Sequence, residues 1–156
     1  MAKEQGIKVI TENKKARFNY EIIETFEAGI VLKGSEVKSI KMGKVNIQDA
    51  FALIRNGEIF IHNMNIQPYP HATYNNHEAT AVRKLLMHKY EIKRLIGKVM
   101  QKGYSLVPLK VYLKSGIIKI EIALVRGKKA IDKKQVIKER EEKRHIEQIR
   151  RHYKIR

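Results

Sequence analysis

The stretch Val107-Pro108-Leu109-Lys110-Val111-Tyr112-Leu113-Lys114-Ser115-Gly116-Ile117-Ile118-Lys119-Ile120-Glu121-Ile122-Ala123-Leu124 carries the fold in its period. Val107, Leu109, Val111 and Leu113 alternate with Pro108, Lys110, Tyr112 and Lys114. Beyond Ser115-Gly116, Ile118, Ile120, Ile122 and Leu124 alternate with Lys119, Glu121 and Ala123. Successive side chains of a strand point to opposite faces, so this period of two predicts two strands. Each has one apolar and one mainly polar face, as antiparallel strands do when one side is buried. The Ser-Gly break joins them as a hairpin.

Working outward, a second hairpin is expected over residues 49–55 and 58–64. Asn56-Gly57 between them suits a type I′ turn, whose two central residues need positive φ. Residues 19–27 are rich in β-branched and aromatic side chains, with Tyr20, Ile22 and Phe26 in phase, and predict a strand. Residues 28–32 continue it past Gly29, read as a bulge or kink. Val37 and Ile40 are three apart, which predicts a short helix over 34–40 with Ser35 as N-cap. From Arg83 onward Leu85/Leu86, Ile92, Leu95/Ile96 and Val99 recur at three, four and seven, predicting an amphipathic helix. Gly97 is an interruption in that helix and Gly103 its C-terminal cap. Pro68 and Pro70 open a polar loop to about Ala81, and residues 1–16 show no sustained periodicity.

Hairpins predominate and no βαβ alternation occurs. The expected fold class is mainly β with α: a small, mostly antiparallel barrel with two or three helices. Closure hides strand edges, and such barrels commonly bind oligonucleotides.

The chain has 156 residues with 33 Lys and Arg against 16 Asp and Glu, a net charge of +17. So basic a chain repels itself, and a polyanion relieves that repulsion. Apolar runs are too short for a membrane span, and no basic stretch carries an aromatic-rich apolar face, so no membrane partner is expected. The polar start of the chain is unlike a secretory signal. Absence of Cys excludes disulfides, thiolate nucleophiles and Cys-type zinc sites. Nucleic acid is the expected partner.

The charge is uneven. Residues 1–125 carry a net +9, and the last 31 residues, 126–156, carry +8. This divides the chain into a loose basic N-terminus (1–16), a barrel (17–125) and a basic tail (126–156). In the tail, Ile131, Val136, Ile137, Ile146, Ile149, Tyr153 and Ile155 form no continuous stripe. Glu139–Lys143 and Glu147–Arg151 are i,i+4 pairs, each favouring a helix by about 0.2–0.5 kcal/mol. A helix polar on nearly all sides has little to bury against its own body, so a segment disordered alone and ordered on a partner is expected.

Catalytic constellations are missing. Asp occurs only at 49 and 132, poor material for the carboxylate cluster of a two-metal hydrolase. His62, His71, His77 and His88 lack metal-ligand spacing, and Arg126-Gly127-Lys128-Lys129 has too few glycines for a phosphate cradle. No cofactor and no enzymatic activity are expected. What the sequence supplies instead is cations in groups. Lys14, Lys15 and Arg17 crowd before the first strand. Arg83, Lys84, Lys89, Lys93, Arg94 and Lys98 decorate the polar side of the long helix. Lys110, Lys114 and Lys119 share a hairpin face with Tyr112. Basic residues interleaved with an aromatic suit phosphate neutralisation and base stacking. No major-groove motif appears, which leans the reading toward RNA.

Several segments resemble the SsrA-binding protein family, SmpB. They are Asn13-Lys14-Lys15-Ala16-Arg17, Phe26-Glu27-Ala28-Gly29-Ile30-Val31-Leu32-Lys33-Gly34-Ser35-Glu36-Val37-Lys38-Ser39-Ile40, Arg83-Lys84-Leu85-Leu86-Met87-His88-Lys89, Lys102-Gly103-Tyr104-Ser105-Leu106-Val107-Pro108-Leu109-Lys110, and Gly127-Lys128-Lys129-Ala130-Ile131-Asp132-Lys133-Lys134. The resemblance implies a bacterial cytoplasmic, monomeric adaptor with an OB-like barrel that binds the tRNA-like end of transfer-messenger RNA and delivers it to stalled ribosomes. It implies RNA contact at Asn13, Lys14, Glu27, Leu86 and Lys119. It implies ribosome contact at Gly127, Lys128, Lys129, Asp132, Lys133 and Lys134, with the tail helical in the decoding centre and vacant mRNA channel. Ile131 stands where the family usually has an aromatic or His, and Lys134 where it has Arg, so a planar donor fork is lost there. A general OB-fold RNA-binding or ribosome-associated protein is the alternative. A fully helical run over 133–156 spans roughly 36 Å, enough to lie along an RNA-lined channel.

Overall fold

Asn56 and Gly57 both take positive φ, 53° and 77°, and the chain reverses there as Asn-Gly demands. The strands on either side are two of nine found among the described residues of this computed structural model, which are 6–71, 76–101 and 103–127. In chain order the elements are β1 (Ile7–Glu12), α1 (Lys14–Asn19), β2 (Tyr20–Ile30), α2 (Gly34–Lys41), β3 (Val45–Asn46), β4 (Phe51–Arg55), β5 (Glu58–His62), β6 (Asn65–Ile66), β7 (Arg83–Leu86), α3 (Lys89–Val99), β8 (Tyr104–Lys114) and β9 (Ile117–Gly127).

The main sheet runs β1-β8-β4-β5-β7-β2-β9, and β8 also pairs with β9. That extra pairing closes β8, β4, β5, β7, β2 and β9 into a barrel, with β1 added on β8. The β8–β9, β4–β5, β5–β7 and β2–β7 ladders are antiparallel. The expected antiparallel barrel with helices is therefore the observed fold. Its interior holds Ile59, Ile61, Leu85, Leu106, Ile120 and Ile122, each at most 2% exposed, with Ile40 of α2 and Leu95 of α3 joining the same cluster. Burying each such side chain is worth about 1.5–3 kcal/mol relative to exposure.

Where sequence and structure differ, the reasons are local. The alternation in β8 is not a single apolar face. Pairing passes from Pro108↔Ile122 to Lys110↔Glu121, leaving Leu109 as an extra residue. Such a bulge switches the phase of the strand. Leu106 and Val111 thus face the barrel interior, while Val107 and Leu109 join Ala16, Ala123 and Val125 in a second cluster. Residues 7–12 form a strand on β8 rather than a loose segment. Its Ile7 and Val9 stay 44% and 43% exposed, so the alternation that marks a buried face is missing.

The expected helix from Arg83 divides in two. Arg83–Leu86 is strand β7, and α3 begins only at Lys89. Leu85 is buried and Leu86 exposed, a period of two that adjacent leucines conceal. The helix passes through Gly97 and ends at Val99 with Met100 as C-cap, ahead of Gly103. Likewise β2 passes unbroken through Gly29, whose absent Cβ would lie 3.3 Å from Leu86 Cβ. In α2 the N-cap is Lys33, whose backbone N–H donates to Glu36 at 2.7 Å, while the Ser35 hydroxyl is engaged by His77 Nδ1 at 2.8 Å. By contact the chain divides between Arg126 and Gly127.

Candidate nucleic-acid interface

The barrel places Glu27 of β2 beside the outer face of β9 and β8. In register, Tyr112 lies opposite Lys119 across the β8–β9 ladder. The Tyr112 hydroxyl donates to the Glu27 carboxylate, and Lys114 Nζ lies 3.3 Å from the same oxygen. That hydroxyl, aided by Lys114 and Lys119, holds the Glu27 carboxyl below its ordinary value against partial desolvation. Burial, then the bond to Glu27, pushes the Tyr112 phenol above its usual range. Glu27 is therefore a fixed carboxylate that only accepts hydrogen bonds at neutral pH. Lys110 Nζ lies 5.6 Å from the Tyr112 ring centre and adds positive charge to the same face.

Beside this carboxylate lies a cleft of about 490 Å³. Glu27, Lys84, Leu86 and Lys119 all line it, although they come from three different strands. Glu58, Met87, His88, Lys89 and Ile92 also line it. Leu86 is 52% exposed, so it is a surface side chain and not core. Gly29 sits directly opposite Leu86 in the β2–β7 register, and the lack of a side chain there leaves Leu86 its position. Lys84 forms an ion pair with Glu58 at the rim. The arrangement offers an acceptor, an open apolar surface and cations within one concave patch.

Other expected contact residues lie elsewhere. Lys14, Lys15 and Arg17 are exposed on α1. Lys15 pairs with Asp49 at 2.9 Å, and Arg17 approaches Glu121 at 3.8 Å. Two residues must be corrected. Arg83 is 4% exposed rather than on a polar helix face. Its guanidinium pairs with buried Glu36 and donates to the carbonyls of Met64, Glu78 and Ala79 at 2.8–3.1 Å. Asn13 is 1% exposed. Its Nδ2 donates to Ile47 O and Pro108 O at 3.0 Å, and its Oδ1 accepts from Ala16 N as the α1 cap. Both side chains are engaged in hydrogen bonds within the fold. In the tail, Gly127 is exposed at the end of β9, while Lys128, Lys129, Asp132, Lys133 and Lys134 lie outside the described residues.

Comparison with known proteins gives the family. The family model described as SmpB protein matches residues 10–152. The chain belongs to the SmpB family. The SsrA-binding protein of Synechococcus elongatus is 56% identical over 148 residues, covering 94% of this chain and 96% of its own. That of Syntrophobacter fumaroxidans is 51% identical over 144 residues, covering 92% and 89%. A solved chain described under "tmRNA-SmpB: a journey to the center of the bacterial ribosome" matches with a TM-score of 0.65 and 51% identity. That match covers 77% of this chain and 85% of the other.

In this member of the SmpB family Glu27, Leu86 and Lys119 line one cleft, residues the sequence named but could not bring together. Tyr90 was not singled out and His88 was weighed only as a metal ligand, although their rings stack at 5.4 Å where His88 lines that cleft. An aromatic at a polar helix start was the available signal.

Proposed function

We propose that this chain is the RNA-binding adaptor of trans-translation: it binds the tRNA-like domain of transfer-messenger RNA through the barrel and brings it to stalled ribosomes in the cytoplasm. The observation that carries the reading is the convergence of Glu27, Leu86, Lys84 and Lys119 on one cleft of a chain in the SmpB family. Each group has its own task. The Glu27 carboxylate accepts from a sugar hydroxyl or a base amine, and the lysines neutralise phosphates. Leu86 offers a flat apolar surface to an unstacked base. The basic tail, with Gly127, Lys128, Lys129, Asp132, Lys133 and Lys134, takes the decoding centre and vacant mRNA channel in this reading. Lys14, Lys15 and Arg17 supply further cations. The adaptor works by binding, and no bond is made or broken by its own side chains.

The test is competitive binding to the tRNA-like domain against an RNA duplex of equal length at equal salt. Preference for the tRNA-like domain that E27Q and L86A abolish is the expected result. Equal affinity for both RNAs, untouched by those variants, would leave only a general barrel RNA-binder.

A further inference from the structure

We infer that the stacked rings of His88 and Tyr90 form a platform for one unstacked nucleobase of an RNA loop, adjoining the cleft that holds Glu27 and Leu86. This rests on the RNA-binding reading and adds a contact to it. Tyr90 is 69% exposed at the start of α3, so its ring is available to a partner. His88 stacks on the Tyr90 ring at 5.4 Å with 17° between planes, and the Tyr90 side chain stays exposed. The platform is also held in place. Arg94, one turn along α3, ion-pairs with Glu24 of β2 and sits 6.0 Å from the Phe26 ring centre. The start of α3 is thereby fixed against the strand that carries Glu27.

The surroundings select the occupant. Lys84, Lys89 and Lys119 line the adjoining cleft and favour an anion. A flat open ring beside phosphate-binding cations fits an unpaired nucleotide. A duplex presents no free base face, and an apolar peptide would make no use of Lys89 and Lys119. Every base has a π-face, so the contact contributes affinity without reading sequence.

The experiment measures affinity for the tRNA-like RNA over a range of salt with wild type, Y90A, Y90F and Y90W. Tyr90 is exposed and Ala is a better helix former, so Y90A should fold, as circular dichroism checks. Y90A should bind roughly tenfold more weakly, while Y90F and Y90W stay close to wild type. The slope of log K against log salt should not change, since no charge is removed. Wild-type affinity for Y90A overturns the inference. So does Y90F binding as weakly as Y90A, which would make the hydroxyl the contact, or a salt slope that falls in Y90A. Wild type that ignores this RNA sinks the RNA reading together with the platform. A neutral Y90A beside weakened E27Q and L86A sinks the platform alone.

Discussion

Tyr112 of β8 reaches over β9 to donate its hydroxyl to Glu27 of β2, so two strands that do not pair are joined through one side-chain bond. The bond is charge-assisted, and because the Glu27 side chain is 39% exposed, solvent screening holds its contribution to about 1 kcal/mol or less. It keeps the Glu27 carboxyl below its ordinary 4.5, so the ionised form contributes stability above that value and loses it as pH falls through the lowered one. Y112F removes the donor and leaves Lys114, Lys119 and the neighbouring Glu121 unchanged. The Glu27 midpoint should then climb toward 4.5, read by carbon NMR of the side-chain carboxyl. Affinity for the tRNA-like RNA should fall, and Y112F should add little in an E27Q background. Additive effects would separate Tyr112 from Glu27.

Arg83 predicts a stability loss instead of a binding loss. Its guanidinium serves Glu36 and three backbone carbonyls in the interior. R83A strands a buried carboxylate, a change that typically costs about 3–5 kcal/mol. R83K keeps the charge but not the planar fork and should recover only part of the loss. Urea unfolding measures both. An R83A protein of wild-type stability with reduced RNA affinity would return Arg83 to the surface role that its sequence context suggested.

Legibility followed the range of each interaction. The Tyr112–Lys119 pairing was readable, because a Ser115-Gly116 turn fixes the register of everything beside it. The Glu27–Tyr112 bond was not, because it depends on which strands become neighbours when the barrel closes. Asn13 stood in a family motif, and motif membership alone does not separate a cap from a contact. Leu85-Leu86 fits a period of two and of 3.6 equally well, and this pulled Arg83 and Lys84 onto a helix they do not enter. The bulge at Leu109 left no composition signal, since Val107, Leu109, Val111 and Leu113 keep one unbroken alternation through it.

Leu86 is the test of an exposed apolar contact. At 52% exposure it supports little of the core, so L86A should shift stability by no more than about 0.5 kcal/mol. RNA affinity should fall clearly. G29A approaches the same site from beneath, because its new Cβ would meet Leu86 Cβ at 3.3 Å and displace it. It should lower affinity in the same direction. An L86A protein that unfolds would make Leu86 a core residue after all.

The tail carries the last prediction. Residues 126–156 hold a net +8, and the barrel strand β9 is complete by Gly127. A chain ending there should keep its fold, because among the described residues both core clusters are complete by Val125. It should keep most of its affinity for the isolated tRNA-like RNA, since the cleft lies on the barrel. Rescue of stalled ribosomes should be lost. Charge and helix formation can then be told apart by placing Pro at Ile137, Ile146 or Ile149, one at a time. Each Pro costs a helix interior about 3 kcal/mol or more and leaves the net charge unchanged. The measurement is peptidyl transfer to charged transfer-messenger RNA on ribosomes stalled without a codon. A tail that must be helical on its target fails with Pro, whereas a flexible charged arm tolerates it. Wild-type rates in all three variants would leave charge as the tail's whole contribution. Wild-type rates in the truncated protein would remove Lys128, Lys129, Asp132, Lys133 and Lys134 from the function altogether.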